Sequence, residues 1–155
     1  LQGKLSSEAV VAAIGAVALA FVLYPIVEKA AHQAGLQMYW GEERTSHFSL
    51  STPLDHVLAI LGAALIVPVL EELLYRGYVL NHFLSVFPRQ KAVLYAVLVF
   101  TSIHLPFGPG MMLYIFCWSW IPCWLFLRYK NLFPGIIFHM ANNFLAYVVL
   151  PMVGM

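Results

Sequence analysis

The chain is predicted to be an all-α, polytopic transmembrane bundle of about five membrane-spanning helices, and three observations carry that expectation. Of its 155 residues, 62% are hydrophobic and only 10% charged, against about 25% charged in a soluble domain. Mean hydropathy is +0.83. Apolar runs close to the length that crosses a hydrocarbon core, about 20 residues, recur along the chain between short polar, proline or glycine segments. No internal repeat or low-complexity tract interrupts them.

The first run, Ala9 to Val27, covers 19 residues. It is longer than the core of a secretory signal and no A-x-A site follows it, so it is expected as a retained helix. A polar stretch from Glu28 to Pro53, with Glu42, Glu43, Arg44 and His47, is the one long connection. Residues 1–53 thus form a first helix and outer loop, and residues 54–155 a four-helix core, within one domain overall. The second helix is expected from near Leu54 to about Val86. That exceeds what a bilayer requires, so it must tilt, kink near Pro68 or project. The third runs from about Gln90 to Leu105, where Leu105-Pro106-Phe107-Gly108-Pro109-Gly110 breaks it. The fourth covers Met111 to Arg128, kinked at Pro122. The fifth begins after Asn131, accepts Pro134 in its first turn and reaches about Val149.

If the passes alternate, Lys4, Arg89, Lys91, Arg128 and Lys130 collect on one side and only Lys29 and Arg44 on the other. The positive-inside rule then places the N-terminus in the cytoplasm, and a compact chain with short loops fits a prokaryotic plasma membrane. A net charge of +1 without a basic cluster excludes nucleic acid as the partner. Cys117 and Cys123, six apart in an apolar run, are read as packing residues and not as a disulfide or zinc ribbon. Trp118, Trp120, Trp124 and Tyr129 are expected in an interfacial belt or facing lipid.

Charge at bilayer depth needs a reason. Glu71-Glu72-Leu73-Leu74-Tyr75-Arg76 is flanked by uncharged Val57 to Leu70 and Gly77 to Leu80, and each ionisable side chain there costs at least about 2.5 to 3.5 kcal/mol. At 100° per residue Glu72 and Arg76 share a helix face while Glu71 points elsewhere. Arg76 is therefore expected to hold Glu72 ionised and fixed, leaving Glu71 available as a general base. The third helix adds His104 and the fifth adds His139 with Asn143, one turn apart on one face. A carboxylate, two imidazoles and an amide on three apolar helices are more than a structural ion pair requires.

Glu71-Glu72-x-x-x-Arg76, Phe100-x-x-x-His104 and His139-x-x-x-Asn143, in that order on successive apolar helices, resemble the three-motif signature of the CAAX prenyl endopeptidase and bacteriocin-processing family, also called Abi, of glutamate-type intramembrane proteases. The resemblance covers about Leu54 to Leu150. It implies a metal-free intramembrane endopeptidase without cofactor. Glu71 and His104 would activate a water molecule, His139 and Asn143 would stabilise the oxyanion, and Glu72 and Arg76 would support them. The implied partners are the lipid bilayer and a peptide or protein substrate, prenylated or membrane-bound.

Zinc held by Glu71, Glu72, His104 and His139 is the weighed alternative to the metal-free reading. Against it, the chain lacks H-E-x-x-H, and Arg76 beside the carboxylates opposes a divalent cation. The alternative function is a non-proteolytic immunity or scaffold module that binds peptide or lipid in the same pocket. A small proton-relaying transporter is disfavoured by the few passes and the lack of an inverted repeat. Counted from the basic loops at about 1.5 Å per residue, His139, His104 and Glu71 lie at different depths, so a distorted or re-entrant arrangement is expected in place of straight helices.

Overall fold

The computed structural model describes residues 5–40 and 52–150, and every regular element among them is helical. The elements are α1 (Ser7–Gln33), α2 (Pro53–Val86), α3 (Arg89–Ser102), α4 (Pro109–Tyr129) and α5 (Phe133–Val149). The five expected helices are present. Three of them, α1, α2 and α4, are long and apolar enough to cross a membrane, and α5 is a shorter apolar helix. Glu42, Glu43, Arg44, His47 and Lys4 lie outside the described residues.

α1 starts at a Ser6 cap, whose hydroxyl accepts from the Ala9 N–H at 3.2 Å, with Glu8 in the first turn, where it meets the positive helix end. It runs past Val27 to Gln33, so Glu28 and Lys29 are helical and not loop. Gly35 then turns left-handed at φ 71° and the Leu36 N–H returns to Ala31 O at 2.9 Å, a Schellman closure. Ala9, Ala13, Ala16 and Ala20 form a buried stripe, whereas Val11, Ile14, Leu19, Val22 and Ile26 are exposed. Small side chains on one face let backbones approach where lipid offers no hydrophobic drive between helices. α5 and α4 use that approach, and the Tyr114 hydroxyl reaches Ala20 O at 3.5 Å.

α2 opens on a capping box between Thr52 and Asp55. The distortion expected near Pro68 takes the form of a change in hydrogen-bond register, because Ala59–Ile66 and Glu72–Leu80 are π-helical. In the first π segment the Val67 N–H bonds Gly62 O. The next donor in that i→i+5 register would be Pro68, which has none, so Ala63 O is left open. In the second, the Asn81 side-chain amide donates to Gly77 O at 2.7 Å and Arg76 O at 3.3 Å.

α3 is shorter than expected. It stops at Ser102, and Leu105–Phe107 is a 3-10 turn, because Pro106 has no N–H for the Ser102 carbonyl and Gly108 adopts φ 129°. His104 therefore sits in the turn after α3, not on the helix. With 14 residues, α3 rises about 21 Å, less than a hydrocarbon core of about 30 Å. α4 breaks at Ser119, three residues before Pro122, which is the kink expected from the proline.

α5 packs on α1, on the second half of α4 and on the first π segment of α2, while the second π segment contacts α3 and α4. Glu8 meets Arg128 and the Tyr129 hydroxyl, each at 3.3 Å. The start of α1 and the end of α4 thus share one end of the bundle, as alternation requires. At the other end, residues 37–40 run along the α3–α4 turn. Cys117 and Cys123 are free thiols, Cys123 buried.

The alanine stripe gives a test. Ala13 is fully buried and Val11 is 68% exposed, so Ala13→Leu should destabilise by about 1 to 3 kcal/mol through overpacking and Val11→Leu by almost nothing. Thermal unfolding in detergent micelles measures both, and equal midpoints would refute the packing of α1 described above.

Candidate active site

Glu72 is the centre of the site. It is fully buried, and Arg76, one turn on and 1% exposed, donates to its Oε1 at 3.0 Å. The other arm of the guanidinium donates to Ser119 O at 3.3 Å, where α4 is broken, and its carbon lies 4.4 Å from the centroid of the Phe100 ring. The arginine thereby ties α2 to α3 and α4 with charge-assisted and cation–π contacts.

α5 reaches the same oxygen. His139 Nδ1 is 2.9 Å from Glu72 Oε1, and His139 Nε2 is 3.5 Å from Glu71 Oε2. A carboxylate ionised beside an arginine only accepts, so Nδ1 carries the proton and Nε2 faces Glu71. The result is a carboxylate–imidazole–carboxylate chain, Glu72–His139–Glu71. Within it Glu72 is 0%, His139 5% and Glu71 21% exposed at the side chain. Glu71 is the member with an open side.

Asn143 lies one turn beyond His139 and donates from Nδ2 to Ala63 O at 3.0 Å, the carbonyl that Pro68 leaves open. His104 is half-buried in its turn. Its Nδ1–H donates to Phe100 O at 2.8 Å, which leaves Nε2 as the acceptor nitrogen, and its ring sits against Phe100 at 4.7 Å and Phe107 at 5.7 Å.

Of the six residues singled out from the sequence, the structure joins Glu71, Glu72, Arg76 and His139 in one network. Asn143 lies on the adjoining turn, and among the described residues no ion pair joins His104 to Glu71. The four side chains weighed as zinc ligands form no group of three or more placed to hold an ion among the described residues. An open groove of about 550 Å³ between Gly77, Tyr78, Phe126 and Lys130 lies elsewhere and includes none of the six.

Sequence reading missed three contributors and, for Phe100 of the second motif, the contact with Arg76. Trp118, expected at an interface or facing lipid, is 1% exposed and packs on Phe138 at 4.9 Å and edge-on to His139 at 4.7 Å. Phe100 and Ser119 hold Arg76. Gly135 is the third contributor: a Cβ there would stand 3.1 Å from Glu72 Oε2, a buried oxygen without a hydrogen-bond partner among the described residues. The spacing of Gly135 one turn before His139 was the available signal.

A bundle with spanning apolar helices and buried charges at their junction defines an integral membrane protein. A family model, type II CAAX prenyl endopeptidase Rce1-like, matches residues 53–145, from the start of α2 through Asn143. The chain belongs to that family. No curated protein and no solved structure matches it.

Removing one partner from a buried pair strands the other charge. Arg76→Met should therefore cost about 3 to 5 kcal/mol, and adding Glu72→Gln should recover part of the loss. A double-mutant cycle of reversible unfolding in mixed micelles measures the coupling, and additive losses would refute the pairing.

Proposed function

We propose that this protein is a glutamate-type intramembrane endopeptidase in which Glu71 is the general base. The observation that carries the reading is the Glu72–His139–Glu71 chain with exposure at Glu71 alone, inside the segment that matches the family. In the proposed reaction Glu71 and the unprotonated Nε2 of His104 hold a water molecule against the scissile carbonyl. Glu71 takes the proton of that water as oxygen attacks carbon, and passes it to His139 Nε2, 3.5 Å away. The resulting imidazolium is stabilised by Glu72, as the orienting carboxylate of a catalytic triad stabilises its histidine.

The same transfer turns His139 Nε2 into a donor. With the second hydrogen of the Asn143 amide, it supplies the two N–H groups that the tetrahedral oxyanion requires. Collapse of the intermediate returns the proton from His139 to the departing amine, and the peptide acid and amine leave with Glu71 restored. The chemistry is proposed to run on these side chains without a metal or other cofactor. Family membership supports a peptide or protein substrate presented in the membrane, and the family's description as CAAX prenyl endopeptidases favours a prenylated one.

Peptide termini released in membranes that express the native chain, Glu71→Gln, His104→Ala and His139→Ala should differ in one specific set of products. All three variants should lose that set while keeping the native chromatographic profile in detergent. Glu71→Gln should lower the rate at least about a hundredfold, since general-base catalysis contributes 10² to 10⁴. Identical product sets from the native chain and Glu71→Gln would overturn the proposal.

A further inference from the structure

The turn that carries His104 is tied to its own helix only at its start, where His104 N–H donates to Thr101 O at 3.0 Å and the imidazole to Phe100 O at 2.8 Å. α3 ends at Ser102, and what covers the turn is residues 37–40, the segment that follows α1 and lies outside the stretch matched by the family. Four hydrogen bonds join this segment to the turn and to the start of α4. Trp40 N–H donates to Phe107 O at 3.1 Å, Gly110 N–H to Gln37 O at 2.9 Å and Met111 N–H to Met38 O at 3.0 Å, and the Trp40 indole N–H donates to Leu105 O at 2.9 Å. Irregular backbone at membrane depth is tolerated only where protein satisfies its polar groups, and this segment satisfies them on both sides of Pro106.

The approach is close enough to require glycine. A Cβ on Gly108 would stand 2.8 Å from Met38 O and 2.9 Å from Trp40 N, and one on Gly110 2.8 Å from Met38 Cα. From this contact a short path leads to the imidazole. Phe107 accepts from Trp40, donates its own N–H to His104 O at 3.0 Å, and lays its ring along the His104 ring. On the other side Leu105, the neighbour of His104, is pinned by the indole.

We propose that residues 37–40 are a positioning strap that sets the orientation of the His104 imidazole, with Trp40 as its positioning residue. The catalytic turn of the family-matched core is thus completed by the segment that precedes the core. The proposal rests on the reading of His104 as a water-holding group, but its structural half does not depend on proteolysis.

The test uses the full chain, ¹⁵N-labelled at histidine, in lipid nanodiscs. Trp40→Phe keeps the ring and deletes the indole donor, and Gly110→Ala forces the strap to lift. In the native protein the His104 signal should show the Nδ1–H tautomer. In both variants that signal should shift or average, while the His139 signals stay unchanged. In a parallel assay of a farnesylated CAAX-type peptide, kcat should fall on the order of tenfold to a hundredfold with KM unchanged, as misplacement of a reacting group does. Unchanged His104 signals in both variants would overturn the strap. So would a shift of His139 equal to that of His104, since a general loosening would move both. If the native chain cleaves no peptide when the tautomer signature behaves as expected, the protease reading fails and the strap stands.

Discussion

A single buried carboxylate oxygen, Glu72 Oε1, meets donors from two helices, and the packing of the other helices is arranged around it. Taking an ion pair out of water costs several kcal/mol per ion, and mutual attraction offsets this only when the remaining hydrogen-bonding groups are satisfied. Here Arg76 spreads its charge over Glu72, the Ser119 carbonyl and the face of Phe100. Each of those partners sits on a different helix. Because lipid gives helices no hydrophobic reason to associate, such polar contacts fix the register in which α2, α3, α4 and α5 meet. Gly135 belongs to the same constraint, since α5 can approach Glu72 this closely only without a side chain there.

That constraint also divides the labour between the adjacent glutamates. Glu72 is held from two sides and closed to solvent, whereas Glu71 meets His139 at a longer distance and keeps an open side. Two identical side chains one residue apart thus occupy a fixed and an accessible environment. A nucleophile-activating group needs access and a proton partner, and an orienting group needs neither. The proposed roles follow that difference.

The i, i+4 spacing made the Glu72–Arg76 pair and the shared face of His139 and Asn143 legible in the sequence, and apolar runs located all five helices. Local pattern could not reveal what depends on contacts between distant segments. His104 reads as helical from its apolar neighbours, yet Pro106 removes the N–H that would have continued α3, so it belongs to a turn. Trp118 reads like the nearby exposed Trp124, and only the placement of Phe138 and His139 against it makes it a wall of the site. Nothing in Gln37-Met38-Tyr39-Trp40 announces that it will lie on Gly108 and Gly110, more than sixty residues away. The unequal depths counted on straight helices did carry information, because they required the distortions that α2, α3 and α4 contain.

Those distortions share one logic. A break in a membrane helix leaves carbonyls that lipid cannot satisfy, so side chains from neighbouring segments donate to them. Pro68 leaves Ala63 O open, and Asn143 donates to it. α4 opens ahead of Pro122, and Arg76 takes Ser119 O. The turn at Pro106 exposes Leu105 O, and Trp40 takes it. Two of those three donors are among the residues that the three motifs singled out, and the third holds the turn of another. The breaks bring side chains at different heights into one site, and the side chains that gather there close the breaks. Fold and site in this chain are therefore one set of hydrogen bonds: a substitution at Asn143 or Arg76 removes a helix repair together with any chemical role, so loss of activity at either position assigns chemistry only when the helix it repairs is shown to be intact.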